Sequence, residues 1–154
     1  MIVVKTKEEI ELMREAALVV SKTLGEVAKA VKPGVTSLEL DKIAEECIRD
    51  QGAIPGFLGL YDFPNTLCMS PNSQVVHGIP NDTPLVEGDI ISIDCGAIKN
   101  DFYGDHAYTF EIGEIAPETK KLLDVTKESL YVGIREFKLG NRVGDVGYAI
   151  QKHC

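Results

Sequence analysis

The chain has 154 residues, 44% hydrophobic and 26% charged, a composition typical of one globular domain with a buried core. Its formal net charge of −8 argues against binding to nucleic acid or to an anionic membrane surface. The sequence has no apolar run long enough to span a membrane and no export leader, and its scattered cysteines form no zinc knuckle. These features predict a cytoplasmic protein with reduced thiols.

Two helices are predicted at the start of the chain. Thr6 and Glu9 form a capping box, apolar residues then recur at steps of three and four up to Val31, and Pro33-Gly34 ends the helix. A second capping box, Thr36 with Glu39, opens a helix that Gly52 ends.

Strands and two further helices are predicted after an irregular loop at 53–65. The strands are TLCMS at 66–70, QVVHGI at 74–79 and a hairpin that ends at Ile112. A third helix begins near Pro117 and ends at Gly140, and a fourth begins near Val143 and is cut off at Cys154 without a cap. The buried side of the third helix is predicted to be Leu122, Leu123, Leu130, Ile134 and Phe137, and that of the fourth Val146, Ala149 and Ile150.

The two predicted helix pairs repeat at an offset of 106 residues. Leu24 maps onto Leu130, and the Lys-x-Gly break ending at Gly34 maps onto the break ending at Gly140. The repeated unit is a helix, a break and a second helix, followed by a sheet only in the first copy. The pattern predicts one complete unit and the opening helices of another.

A pair of aspartates in the predicted hairpin, DIISIDCGAI–KN–DFYGDHAYTFEI, is the most informative pattern. A two-residue turn at Lys99-Asn100 places Asp94 directly opposite Asp105, with Cβ atoms roughly 4.5–5.5 Å apart. A three-residue loop instead places Asp94 opposite His106. Because like charges in apolar surroundings need an offsetting cation, the pattern favours a divalent metal site. The alternative at this point is a pair of edge-strand charges that face water.

Other candidate residues admit two interpretations from their own neighbourhood. His77 is either a turn histidine satisfied by the backbone or a functional one, and His106 is predicted on the face opposite to Asp105. No cysteine is predicted to be a nucleophile. The aromatic residues Phe57, Tyr61 and Phe63 are either ordinary loop packing or a pocket wall.

The segment VVHGIPNDTPLVEGDIISIDCGAIKNDFYGDHAYTF resembles the type I methionine aminopeptidases. The opening of the chain, a long helix followed by VKPGVTSLELD and a second helix, is similar to the same family. The resemblance runs from about Lys5 to Cys154, and its central motifs, HGIP followed by IDCGAIKNDFYGD, are specific.

This resemblance implies an α+β pita-bread fold, an antiparallel sheet flanked by helices, with an incomplete second pseudo-symmetric half. Residues 1–154 would be one truncated methionine aminopeptidase-like domain, with 1–116 as the first half and 117–154 as the opening helices of the second. The family removes the initiator methionine by hydrolysis at a site with two divalent metal ions, for which cobalt, manganese, iron and zinc remain open. The implied partners are nascent polypeptide N-termini close to the ribosome, and not nucleic acid or membrane.

The family's site residues carry over to matching positions of this chain. Asp94 and Asp105 become metal ligands, the latter bridging both ions, and His77 becomes a catalytic residue beside the scissile amide. The substrate pocket would include Cys68, Phe63 and Leu60. Family members often carry tyrosine where this chain has Leu60 and Phe63, a departure that bears on the pocket's polar contacts.

The remaining ligands of the family, a histidine and two glutamates, have no counterpart here, and His153 matches no ligand position. The resemblance therefore implies that this chain alone is an inactive piece. Two alternatives stay open: a pita-bread binding module without catalysis, and a proline-specific peptidase of the same superfamily. An open half-sheet also predicts self-association.

Overall fold

A computed structural model describes residues 3–154 and divides into two compact units, the first ending at Glu114 and the second comprising Ile115–Cys154. The first unit contains two helices and a four-stranded antiparallel sheet. The second contains two helices. The assignment of residues 1–116 and 117–154 to successive halves of one domain remains a prediction.

Helices α1 (Lys7–Ala30) and α2 (Ser37–Asp50) begin at the two predicted capping boxes. In α1 the amide of Glu9 donates to the Thr6 hydroxyl at 3.2 Å, and the amide of Thr6 donates to the Glu9 carboxylate at 2.7 Å. Only the later part of the predicted stripe of α1 is buried, because Ile10 and Met13 are more than a third exposed. The buried residues of this helix are Ala16, Val19, Val20, Thr23, Leu24 and Val27.

The sheet is built around one long central strand. Strand β3 (Ile90–Lys99) pairs antiparallel with β1 (Ile54–Pro55), β2 (Leu67–Pro71) and β4 (Phe102–Glu111). The loop between β1 and β2 contains a single 3₁₀ turn, Leu60–Asp62. The strand predicted at TLCMS is confirmed as β2.

The strand predicted at 74–79 is wrong, because this segment is an exposed loop. His77 has a φ of +59°, which is incompatible with an extended strand. Its neighbour Gly78 makes one β-like contact, accepting from the amide of Met69 at 2.8 Å. The alternating apolar residues therefore belong to a loop, and this loop meets β2 at Gly78.

The predicted register of the aspartate hairpin is also wrong, by two residues. Asp94 pairs with Ala107, and Asp105 pairs with Gly96. The turn residues are Asn100 and Asp101, both with positive φ (+52° and +63°), instead of Lys99 and Asn100. Asn and Asp tolerate the left-handed region better than lysine does, so turn chemistry selects this register. A shift of two leaves every side chain on its expected face, because side chains alternate with a period of two.

The two faces of the sheet have different environments. Alternate residues of β3 are fully buried and join the hydrophobic core with residues of α1 and α2; they are Ile91, Ile93, Cys95 and Ala97. The other face carries Asp94 and Gly96 from β3 and Asp105 from β4. Ser92 and Thr109, a cross-strand pair on this face, are hydrogen-bonded at 2.8 Å. The helices thus hold one side of the hairpin and leave the aspartates on the other.

In the second unit, α3 (Pro117–Glu136) and α4 (Val143–His153) begin near the predicted positions. They pack together at Gly133, where a Cβ atom would lie 2.8 Å from Ile150. The predicted buried side of α3 is wrong for most of its members, because four of the five are more than half exposed; they are Leu122, Leu130, Ile134 and Phe137. A pair of helices buries one seam between them, so a wider apolar stripe stays exposed.

The two helix pairs are spaced alike along the chain. Helices α1 and α3 end at Ala30 and Glu136, which are 106 residues apart, and α2 and α4 begin at Ser37 and Val143, again 106 apart. Gly34 and Gly140 occupy the breaks with φ of +89° and +95°.

Within residues 3–154, no helix is both long and apolar enough to cross a membrane.

Candidate metal centre

Asp94 and Asp105 converge on the open face of the hairpin although they are not a directly opposed pair. Since Asp94 pairs with Ala107, Asp105 is its diagonal neighbour on the same face. The two carboxyl groups are in hydrogen-bonding contact. Gly96, directly opposite Asp105, has no side chain to separate them. The shifted register thus still produces the paired carboxylates that the sequence pattern predicted.

The electrostatics of this pair favour the uptake of positive charge, from a proton or from a cation. Burial first, then the charge of Asp105 and the hydrogen bond to it, raise the pKa of Asp94 from 3.8 to about 6, although the Cys95 amide and the charge of His77 act in the opposite direction. Asp94 Oδ1 is buried without a hydrogen-bond partner. A buried carboxylate oxygen without a protein donor needs another partner, and a bound cation is one that would suit it.

The donor set fits a divalent cation only in part. Two carboxylates are suitable ligands for manganese, iron, cobalt or zinc. However, no group of three His, Cys, Asp or Glu side chains within residues 3–154 is arranged to hold a metal. His153, in the second unit, lies 3.8 Å from Glu128 on the neighbouring helix. The described residues therefore bring two carboxylates together, which is fewer ligands than a two-metal centre needs.

A cavity of about 400 Å³ adjoins the aspartates, within the size range of small-ligand sites. All six site residues predicted from the sequence line it, together with two aromatic residues that had two interpretations. The lining residues are Phe57, Leu60, Tyr61, Phe63, Cys68, His77, Asp94 and Asp105. Apart from the histidine and the two aspartates the wall is mainly apolar or aromatic, which suits an uncharged side chain next to a polar reacting group.

His77 is exposed and held in a left-handed backbone conformation with φ of +59°. The next residue fixes the loop, because the Gly78 amide donates to the buried Ser70 hydroxyl at 3.0 Å. A Cβ atom on Gly78 would lie 2.0 Å from the Met69 carbonyl oxygen, so only glycine allows this approach. Strained backbone conformations of non-glycine residues are concentrated at functional sites. Here the hydrogen bonds of the loop to β2 maintain the strained conformation of His77.

Asp41 is a buried residue of the site's framework that sequence analysis did not single out. From α2 its carboxylate accepts from the amide of Leu67 at 2.7 Å and from Asn65 Nδ2 at 3.0 Å. These bonds fix the start of β2, one residue before Cys68. The only sequence signal for this role of Asp41 was an aspartate at an inward-facing position of an amphipathic helix. The Asn-Thr turn that it contacts lies far away along the chain.

The cysteines near the aspartates have raised pKa values. Burial and then the charges of Asp94 and Asp105 raise the pKa of Cys68 to about 11 and that of Cys95 to about 12. Both pKa values lie well above neutral pH and favour the thiol form over the more nucleophilic thiolate.

The raised pKa of Asp94 predicts a pH-dependent change in stability in metal-free buffer. The native state holds this proton more tightly than the unfolded chain, so the free energy of unfolding falls as the pH rises through the interval from 3.8 to about 6. Asp94→Asn removes that contribution. We expect the stability of the variant relative to wild type to increase across this interval and level off above it, measured by urea unfolding in EDTA.

The matched control is Asp82→Asn, because Asp82 is exposed and lies outside the cavity. Its unfolding free energy should run parallel to that of wild type at every pH. A constant offset between wild type and Asp94→Asn would contradict the raised pKa.

Comparison with known proteins identifies the family. Residues 11–154 match the model of metallopeptidase family M24. The chain belongs to this metallopeptidase family, which implies the use of divalent metal ions. Relatives include a methionine aminopeptidase of Clostridium acetobutylicum, 49% identical over 154 residues, and methionine aminopeptidase 1 of Bacillus subtilis, 48% identical over 153 residues. Each match covers 99% of this chain and 62% of the relative, so the chain spans less than two thirds of these proteins.

Solved structures agree with the predicted fold. The chain superposes on methionine aminopeptidase from Rickettsia prowazekii with a TM-score of 0.97 and 38% identity, covering 99% of this chain and 62% of that one. A prolidase from Pyrococcus furiosus, at 19% identity, has a TM-score of 0.84 and therefore shares the fold alone. The predicted pita-bread α+β architecture is confirmed by these neighbours.

Proposed function

We propose that this chain carries the methionine-binding cavity and two metal ligands of a methionine aminopeptidase, an enzyme that removes the initiator methionine from new proteins. The observation that supports it best is the pair of contacting carboxylates at one wall of an apolar cavity. The relatives are named methionine aminopeptidases, which points to the same activity, although these proteins are longer than this chain.

In this proposal Asp94 and Asp105 hold divalent ions, and the orphaned Oδ1 of Asp94 is a ligand atom. The bound ions would supply hydroxide at neutral pH and polarise the carbonyl of the scissile bond. His77, on its fixed loop, orients the substrate amide by hydrogen bonding. Leu60, Phe63 and Cys68 receive the methionine side chain and exclude water around it.

Two ions are proposed, drawn from cobalt, manganese, iron and zinc. The proposed substrates are the N-termini of nascent polypeptides in the cytoplasm, close to the ribosome. Neither nucleic acid nor membrane is a proposed partner, in keeping with the net charge of −8. Self-association of the chain is proposed as well, since apolar side chains of α3 are more than half exposed.

The 154-residue chain by itself is expected to release no detectable methionine from a Met-Ala-Ser peptide when manganese or cobalt is added. Two carboxylates do not hold a two-metal centre, and no three His, Cys, Asp or Glu side chains among residues 3–154 are grouped so that they could hold a metal ion. Released methionine is measured by mass spectrometry, with the Bacillus subtilis relative as the positive control. Turnover near that of the control would contradict the requirement for further ligands.

The proposed function itself is tested by reading the gene beyond codon 154. If the frame continues, the complete product should release methionine, and its Asp94→Asn and Asp105→Asn variants should not. A complete product that binds metal without releasing methionine would refute the proposal.

A pita-bread binding module without catalysis is the second candidate, favoured because no three His, Cys, Asp or Glu side chains within residues 3–154 are grouped to hold a metal ion. It predicts a reading frame that stops at Cys154 and a chain that still binds manganese. Metal binding with no catalytic partner segment would support this candidate.

A further inference from the structure

The position of Phe57 in the cavity depends on a glycine in the central strand. A Cβ atom built on Gly96 would lie 2.4 Å from Cε1 of Phe57 and 2.9 Å from two other ring atoms. The ring therefore rests on the backbone of β3, in the space that a side chain at position 96 would fill. Such a distance is far below van der Waals contact, so ring and side chain cannot coexist there.

The backbone on both sides of Phe57 is held in place. The amide of Gly56 donates to the carbonyl of Gly96 at 2.8 Å, and the carbonyl of Phe57 accepts from the amide of Leu60 at 3.0 Å. Gly56 has no room for a side chain either, because its Cβ would lie 3.0 Å from the Gly96 carbonyl carbon. The ring is thus presented at one height above the sheet by fixed hydrogen bonds.

Gly96 is a neighbour of both aspartates of the candidate metal centre. It lies two residues after Asp94 on the same face of β3, and it is directly opposite Asp105 on β4. A ring resting on Gly96 is therefore the part of the apolar wall next to the carboxylates. Phe57 is half-buried and lines the cavity, so one side of the ring contacts the sheet and the rest borders the open space.

We propose that Phe57 and Gly96 together determine the length of side chain that the cavity accepts, with the Phe57 ring as the specificity-determining wall. This inference rests on the proposed function, because it assigns the substrate side chain to this cavity. The two residues act through the volume that they fill. The ring of Phe57, which belongs to the loop, fills the space that a side chain at position 96 of β3 would otherwise fill. Removing the ring lengthens the cavity, and a side chain at position 96 shortens it again.

The test measures binding of L-methionine and of L-ethionine, which is one methylene longer, to the 154-residue chain by saturation-transfer NMR. We expect Phe57→Ala to shift the ratio of the two affinities about tenfold toward ethionine, since one methylene in an apolar pocket is worth at least that factor. The double variant Phe57→Ala, Gly96→Val should shift the ratio back toward that of wild type. Leu58→Ala is the matched control, because Leu58 is the next loop residue and does not line the cavity.

A second readout tests the geometry without any ligand. In wild type the Hα protons of Gly96 should be shifted upfield by the ring current of Phe57, and this shift should vanish in Phe57→Ala. Absence of the shift in wild type would overturn the inference and leave the proposed function standing. An unchanged affinity ratio in a folded Phe57→Ala variant would do the same. If neither amino acid binds wild type or any variant, the inference and the proposed function fall together.

Discussion

Addition of manganese is expected to raise the melting temperature of the wild-type chain and to leave that of Asp94→Asn and Asp105→Asn unchanged. A bound cation would relieve the repulsion between the two contacting carboxylates and would give the orphaned Oδ1 of Asp94 a partner. At about ten times its dissociation constant a ligand stabilises the native state by about 1.4 kcal/mol, or roughly 3–6 °C for a chain of this size. Circular dichroism at increasing manganese concentration measures the shift.

The control for this experiment is again Asp82→Asn, which keeps both cavity carboxylates and should respond to manganese as wild type does. Sodium chloride at matched ionic strength separates specific binding from screening. Equal shifts in wild type and in Asp94→Asn would place the cation elsewhere and remove the physical basis of the candidate metal centre.

Replacement of Gly104 by alanine is expected to destabilise the chain by about 3 kcal/mol, the upper part of the range for overpacked sites. The Cβ atom would lie 2.4 Å from the carbonyl oxygen of Ala16, which is backbone of α1 and cannot rotate away. Either α1 moves off β4 or the hairpin bends, and both changes disrupt the core beneath the aspartates. Urea unfolding followed by circular dichroism measures the loss.

Gly25→Ala offers a control with the same chemical change and the opposite expected sign. Gly25 lies within α1, and a Cβ atom built there meets nothing within 4 Å. Alanine in a helix interior is favoured over glycine by roughly 0.8–1.0 kcal/mol, so this variant should be more stable than wild type. If Gly104→Ala matches Gly25→Ala, the close approach of helix and strand is not as described.

Features encoded by neighbouring residues were predictable from the sequence. The capping boxes at Thr6 and Thr36 are confirmed, because both partners of each lie within one helical turn. The breaks at Gly34 and Gly140 follow from single residues that accept positive φ. Alternation in the hairpin put Asp94 and Asp105 on one face, a result that survives the error in register.

Features that depend on distant segments were not predictable in the same way. The loop at 74–79 alternates like a strand, yet only its contact with Ser70 and the conformation of His77 show that it is not one. The exposed stripe of α3 illustrates the converse: periodicity identifies an apolar face without supplying what covers it.

The amino-acid sequence by itself determined the helices, the family resemblance and the identity of the cavity's aspartates, because these depend on local geometry and on residue type. Only the tertiary structure decided that Asp41 fixes the start of β2 and that Phe57 rests on Gly96. Each of these depends on the distance between atoms of segments far apart in the chain or on backbone conformation at one residue. Periodicity carries no information about such distances, whereas hard-sphere contact between packed elements allows only one arrangement.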